Sequence, residues 1–329
     1  MEAAEQSSSN TAISLLRKDL TSENVPLARR FRALFSLKHV ASQTPGPQAT
    51  AAIEAIAAAF TSPSVLLKHE LAYCLGQTRN LAAVPFLRAV LENRSEDAMC
   101  RHEAAEALGA LGDLSSLQIM KQMKDDEREP VVLRETCDIA VDRIHWAHSE
   151  SRQSESLKSS DFASIDPAPP LPLASETPSI SSLQTTLLDA SLPLFQRYRA
   201  MFALRDLASP PDLPTAESAV HALASGFKDP SALFRHEVAF VFGQLSHPTS
   251  IPALLAVLED TKEESMVRHE AAEALGSLGE EPGVEDILRK FLDDPEQVVR
   301  ESVIVALDMA VYEKNGEMEY ATIPTEVAA

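Results

Sequence analysis

Aromatic residues are scarce in this 329-residue chain: 12 Phe, 4 Tyr and 1 Trp, 5% of the total. Sheet cores draw on aromatic and β-branched side chains, so this shortage, beside abundant Ala and Leu, favours helices packed through small side chains. Glycine is also sparse, at 10 residues. No Gly-rich phosphate loop is among them, which speaks against a nucleotide enzyme. The three cysteines, Cys74, Cys100 and Cys137, are odd in number and sit in helix-like segments, unlike a secreted disulfide scaffold, so a reducing compartment is expected. No run approaches the ~20 apolar residues that span a bilayer, and the N-terminal MEAAEQSSSN lacks the basic and apolar regions of a signal peptide. The expected location is the cytoplasm, with the nucleus as a second compartment. Basic residues are outnumbered, 29 Lys and Arg against 49 Asp and Glu, for a formal charge of -20. Such a surface repels nucleic acid and anionic lipid and attracts basic protein. Neither nucleic acid nor membrane is therefore expected as a partner, although solubility alone would account for the charge equally well.

What the chain does have is 45% hydrophobic residues, enough for a sizeable core, and an internal duplication. RFRALFSLK from Arg30 returns as RYRAMFALR from Arg197, and LLKHELAYCLGQ from Leu66 as LFRHEVAFVFGQ from Leu233. VPFLRAVLEN from Val84 returns as IPALLAVLED from Ile251, and RHEAAEALGALG from Arg101 as RHEAAEALGSLG from Arg268, always 167 residues later. After Gly112 and Gly279 the register slips by about one residue, as a turn permits. Within each half, 33 residues separate His69 from His102 and His236 from His269, the length of a helical hairpin. Each unit reads as a helix such as AVPFLRAVLEN, a polar turn, and a second helix such as MCRHEAAEALGALG ending at Gly. The matched glycines Gly76 with Gly243, Gly109 with Gly276 and Gly112 with Gly279 fit helix ends and close helix contacts.

This pattern resembles HEAT-like repeats with a VR-x-EAA-x-ALG-x-LG core, over residues 25 to 145 and 190 to 312 and with about four units per half. The expected fold is all-α, an α-α superhelix of helical hairpins in two duplicated lobes, residues 1–148 and 183–312. A Ser/Pro-rich linker, 149–182, joins them and is expected to be flexible or extended; a flexible tail, 313–329, follows, and the first ten residues are expected to fray.

His-Glu dipeptides stand at His69-Glu70, His102-Glu103, His236-Glu237 and His269-Glu270, each early in the second helix of its unit. The next unit of each half carries Arg134-Glu135 or Arg300-Glu301 in that slot, so the fold does not require histidine there. Neighbouring helices in such a stack lie roughly 10 Å apart, so equivalent side chains can converge. Each half offers two imidazoles and two carboxylates, a donor set suited to iron, manganese or zinc with positions left for water or O2. Facing halves would then make a two-metal site. Glu106 and Glu273, one turn beyond His102 and His269, either orient those imidazoles or are solvated. His39, His145, His148, His221, His247 and Trp146 lack partners at the offset and read as surface or packing residues. A plainer account makes Glu the ordinary residue of the repeat and His a hydrogen-bonded neighbour. It suits one dipeptide better than four in two matched pairs.

Two halves of HEAT-like repeats, a variable linker and His-Glu at two matched units per half resemble the deoxyhypusine hydroxylases over nearly the whole chain. The resemblance implies an O2-dependent di-iron monooxygenase that hydroxylates the deoxyhypusine residue of eukaryotic translation initiation factor 5A to hypusine. It implies two ferrous ions per chain, O2 as co-substrate and an external reductant, since no reductase or flavin motif is visible. Carried over residue by residue, His69, His102, His236 and His269 with Glu103 and Glu270 are the implied iron ligands. Glu70 and Glu237 are implied beside the metals, as further ligands or as catalytic carboxylates holding the cationic amine of the substrate. The acidic surface would steer a polyamine-modified lysine on a basic loop. A monomer is expected, stapled across its halves by metal and more expanded without it. On the residues alone two other classes stay open: a metal-free interaction scaffold, including relatives of the bilin lyases that share the EAA-x-ALG core, and a two-metal hydrolase using zinc or manganese.

Overall fold

Helical hairpins follow one another along the chain, four in each half. In the computed structural model, which describes residues 2–43, 46–155, 161–172 and 178–314, the first half pairs α1 (Glu2–Thr21) with α2 (Leu27–Ala41), α3 (Pro47–Ala57) with α4 (Val65–Gln77), α5 (Val84–Glu92) with α6 (Ala98–Leu111) and α7 (Leu117–Asp125) with α8 (Val131–Ala147). After a short α9 (Glu150–Ser154), the second half pairs α10 (Ile180–Leu188) with α11 (Leu194–Ala208), α12 (Ala216–Ala224) with α13 (Ala232–Leu245), α14 (Ile251–Glu259) with α15 (Ser265–Gly276) and α16 (Val284–Leu288) with α17 (Gln297–Lys314). No strand occurs among the described residues, and none of their helices is long and apolar enough to cross a membrane. The architecture is the all-α HEAT-like repeat fold.

Two expectations are corrected, and a third lies outside the described residues. The N-terminus does not fray within its first ten residues, because α1 already runs from Glu2. Ile13, Leu16 and Leu20 are buried and anchor its C-terminal half. The interhalf segment is not free either: α9 opens it, α10 begins at Ile180, and residues 161–172 are pinned by side chains from both halves, as set out below. The expected tail lies outside the described residues from 315 onward.

One local device recurs in the second helices. An arginine in their second turn reaches back ten residues to the carbonyl that ends the first helix: Arg30 to Leu20 (2.9 Å), Arg101 to Leu91, Arg197 to Leu187 and Arg268 to Leu258 (each 3.0 Å). The guanidinium meets the negative end of a helix and is itself buried, so an acid neutralises it: Glu129 accepts from Arg101 at 2.7 Å and Asp294 from Arg268 at 2.6 Å. The residue after this arginine therefore begins the face turned to the interior. In the middle units of each half the matching slot holds histidine, after Lys68, Arg101, Arg235 and Arg268.

The second helices pack in sequence, α2 on α4, α4 on α6, α6 on α8, α8 on α11, and so on to α17, which returns to α2 and closes the ring. The packing is tight enough to demand glycine: a Cβ on Gly76 would lie 2.7 Å from the Cα of Ala107, and one on Gly276 2.8 Å from that of Ala306. Deleting a fully buried leucine such as Leu71 or Leu108 would cost about 2–5 kcal/mol. The two ends of the ring are clasped by matching polar contacts. Ser64, which caps α4, donates to Glu301 of the other half at 2.7 Å, and Ser231, which caps α13, donates to Glu135 at 2.7 Å. Arg32 adds a two-pronged bond to Asp308.

Candidate metal centre

Because α4 and α6 face α13 and α15 across the ring, the four histidines meet. Ring centroids lie 5.4 Å apart for His69 and His102, 5.3 Å for His236 and His269, and across the halves 5.8 Å for His69 and His236, 5.2 Å for His69 and His269 and 5.5 Å for His102 and His236. Glu103 comes within 3.3 Å of Nε2 of His69, and Glu270 within 3.3 Å of Nε2 of His236 and 3.9 Å of Nε2 of His269. Three groups have donor atoms all within 4.8 Å of one another: His69, His102 and His236; His236, His269 and Glu270; and His102, Glu103 and Glu106. Glu70 and Glu237, each next to a clustered histidine, are buried on the same faces. All eight residues singled out from the sequence thus come to one place, and all eight are buried.

The cluster is costly as bare protein. Both ring nitrogens of His69, His102 and His236, and Nε2 of His269, lie buried with no hydrogen-bond partner, against the rule that buried polar atoms are paired. The two 3.3 Å approaches of carboxylate to imidazole are close enough for ion pairing but are not aligned as hydrogen bonds. Burial, together with the neighbouring imidazoles, holds His69 and His102 well below the usual histidine range, and burial takes His269 down to about 4. These rings are neutral at physiological pH, the form that binds metal. Burial pushes Glu103 and Glu273 up to about 8 and raises Glu70, Glu106 and Glu237 as well. For Glu270 the cost of burial is outweighed by the imidazoles of His236, His269 and His69, and its carboxyl is held below the ordinary range. Neutral imidazoles and crowded carboxyls are together an oxygen and nitrogen donor set short of positive charge.

A cavity of about 210 Å³ opens onto the cluster, lined by Glu70, Glu103, Glu106, Glu237, Glu270 and Glu273 and by Phe31, Phe35, Lys38, Tyr73, Phe240 and Met309; of the second group all but Phe31 are partly exposed. Of the two residues offered as orienting groups, Glu273 lies 3.7 Å from Nδ1 of His269 and accepts from Ser302 at 3.0 Å. Glu106 joins the group around His102. Ser302, Lys38 and the aromatic wall were not found from the sequence. The signal for part of that wall was present: Phe31 and Tyr198 follow the clamp arginine in the first unit of each half, in the slot histidine holds in the next two. Tyr73 and Phe240, another pair at the 167-residue offset, meet edge to face at 5.9 Å. The fourth-unit glutamates, Glu135 and Glu301, form the interhalf clasps.

Comparison with known proteins agrees with this architecture. The HEAT repeats family matches residues 50–137 and 220–308, one stretch in each half. The deoxyhypusine hydroxylase of Phaeosphaeria nodorum is 70% identical over 316 residues, covering 96% of each chain, and that of Aspergillus oryzae is 71% identical over 314 residues, covering 95% of this chain and 93% of its own. The structure of human deoxyhypusine hydroxylase in complex with glycerol superposes with a TM-score of 0.81 at 44% identity, covering 92% of this chain and 97% of its own. Identity of this order along almost the full length of the relatives, on a matching fold, leaves one assignment: the chain is an enzyme of the deoxyhypusine hydroxylase family.

Proposed function

We propose that His69, His102, His236 and His269, with Glu103 and Glu270, hold two ferrous ions, and that the chain uses O2 and an external reductant to hydroxylate the deoxyhypusine residue of eukaryotic translation initiation factor 5A. The observation that carries this reading is the set of seven buried imidazole nitrogens without a hydrogen-bond partner. Such atoms persist in a folded core when something else satisfies them, and the mixed nitrogen and oxygen donors suit iron. Bound iron would supply the oxidising power for an unactivated C–H bond, which side chains lack.

The protein's own part is binding and orientation. Glu70 and Glu237, buried and pushed towards the protonated form, would ionise against a substrate ammonium group and hold it as a charge-assisted pair. Ser302 and Glu273 would fix the ring of His269. Phe35, Tyr73 and Phe240 would keep water from the bound side chain. The net charge of -20 suits a polyamine-modified lysine on a basic loop. All the donors come from one chain, so a monomer suffices, with lobes 1–148 and 183–312 stapled by the metals. A cytoplasmic location, with some protein in the nucleus, goes with a translation factor as substrate.

The test is metal analysis and an optical spectrum of the purified protein beside a His69→Ala, His236→Ala double variant. About two irons per chain with a visible charge-transfer band, both lost in the variant, would support the reading. Stoichiometric zinc would replace it with a two-metal hydrolase, and a folded chain that takes up no ferrous iron would leave a scaffold.

A further inference from the structure

The duplication builds a second mouth opposite the open one, and a segment between the halves fills it. Lys38, Gln244 and Met309 line the open cavity. Their counterparts in the duplicated register are Arg205, Gln77 and, through the one-residue slip, Arg143. All three counterparts are bonded to residues 161–172. Gln77 donates to the Ile165 carbonyl at 3.2 Å and accepts from its N–H at 2.7 Å. Arg143 donates to the Asp166 carbonyl at 3.1 Å. Arg205 donates to the Asp166 carboxylate at 2.8 Å and lies 4.4 Å over the ring of Phe162. Gln244 is drawn in from the far side, donating to Ser164 at 2.8 Å, while Arg199 donates to the Pro170 carbonyl at 3.0 Å.

The matched cations show the result. Lys38 stays partly exposed, its ammonium 5.3 Å from the Tyr73 ring, whereas Arg205 is 0% exposed. A guanidinium buried to that degree needs an anion; adjacent Asp206 lies at 3.3 Å, and Asp166 of the segment makes the shorter bond at 2.8 Å. Repeated bidentate and charge-assisted bonds make this a built seal rather than a loop resting on a surface.

We propose that residues 161–172 are a strap that closes one of two duplicated mouths, so that substrate reaches the centre only past Lys38, Tyr73 and Met309. The sealed side also limits how far an extended amine can thread, and so sets which carbon stops at the centre. This second consequence rests on the hydroxylase reading; the seal itself does not.

Cysteine accessibility tests the seal without metal or turnover. Lys38→Cys and Arg205→Cys are made separately in the full chain, whose native cysteines are buried, and their reaction with a cationic methanethiosulfonate is timed. Gln77, Arg143 and Arg199 still hold the strap in the Arg205→Cys variant. With the strap intact Arg205→Cys should react at least ~10-fold more slowly than Lys38→Cys, as expected when local opening must precede labelling. With residues 161–172 replaced by an equally long Gly-Ser sequence, the two rates should converge. Equal rates with the strap intact, or continued protection of Arg205→Cys after its replacement, would overturn the seal. Threading is read separately, from the products made on a deoxyhypusine peptide: the replaced chain should hydroxylate more than one carbon, and a single unchanged product would overturn the limit while leaving the seal in place.

Discussion

From Arg101 to Gly112 and from Arg268 to Gly279 the two halves differ at one position, Ala110 against Ser277, yet the two stretches do different things. Gly112 closes α6 in the left-handed region, with φ of 68°, while Gly279 has no positive φ and instead lets α17 approach, since a Cβ there would meet the Cα of Ala310 at 2.8 Å. Glu103 is pushed up to about 8 by burial, whereas Glu270, beside three imidazoles, is held low. Duplicated sequence places the donors in matched positions; neighbours outside the duplicated stretch decide what each copy experiences. The same holds at the mouths, where Lys38 faces a cavity and its counterpart Arg205 faces Asp166.

The strongest way to break the comparison is to remove one ligand at a time. His69→Ala and His236→Ala should each abolish hydroxylation and lower bound iron equally, because either half alone supplies an incomplete set. Full iron retained in one variant would show that the halves do not share the centre.

The matched glycines separate the halves next. A Cβ on Gly76 meets the Cα of Ala107 at 2.7 Å, whereas one on Gly243 meets that of Ala274 at 3.4 Å. Gly76→Ala should therefore destabilise by about 1–3 kcal/mol through overpacking. Gly243→Ala should change stability by no more than about 0.5 kcal/mol, contact being offset by helix propensity. Chemical denaturation measures both, and equal losses would contradict the difference in packing.

The clasps should instead behave alike. Ser64→Ala and Ser231→Ala each remove an N-cap and a bond to the other half and should each cost about 1–2 kcal/mol. A cost confined to one of them would show that a single end of the ring holds the halves together.

The smallest effect is on pH dependence. Between pH ~7.5 and ~8.5 His69, His102 and His269 are neutral in this core and almost wholly neutral in the unfolded chain, but Glu103 and Glu273, at about 8, still hold protons in the folded apoprotein and are ionised when unfolded. The folded state then binds more protons, so apoprotein stability should fall as pH rises through this window. Iron needs the ionised carboxylates, so its affinity should rise in the same direction. Melting temperatures of apo and iron-loaded protein at both pH values check this; an apoprotein whose melting temperature does not change with pH would contradict the burial of these carboxyls.

Much of this was legible in the sequence because repeats write their structure locally. A basic residue, a histidine and a glycine late in the helix recur at fixed spacing, and stacked units of equal length bring equal positions together. That argument places His69, His102, His236 and His269 and their glutamates on one face. It says nothing of Ser302 or Lys38, which come from helices outside the motif, or of Glu135 and Glu301, whose partners stand on the opposite half. The interhalf segment was the least legible part. Its Ser and Pro content describes a chain without helical period, and the bonds that order it run 39 and 88 residues away, to Arg205 and Gln77.

By itself, then, the sequence determined the all-α repeat, the count of units and the identity of the clustered donors, since these depend on periodicity and helix chemistry within about 33 residues. Only the tertiary structure decided that the two halves close into a ring, that one mouth stays open while a strap fills the other, and that identical glutamates differ in charge. Those outcomes depend on burial and on contacts between residues far apart in the chain, where a low-dielectric interior makes each neighbour count.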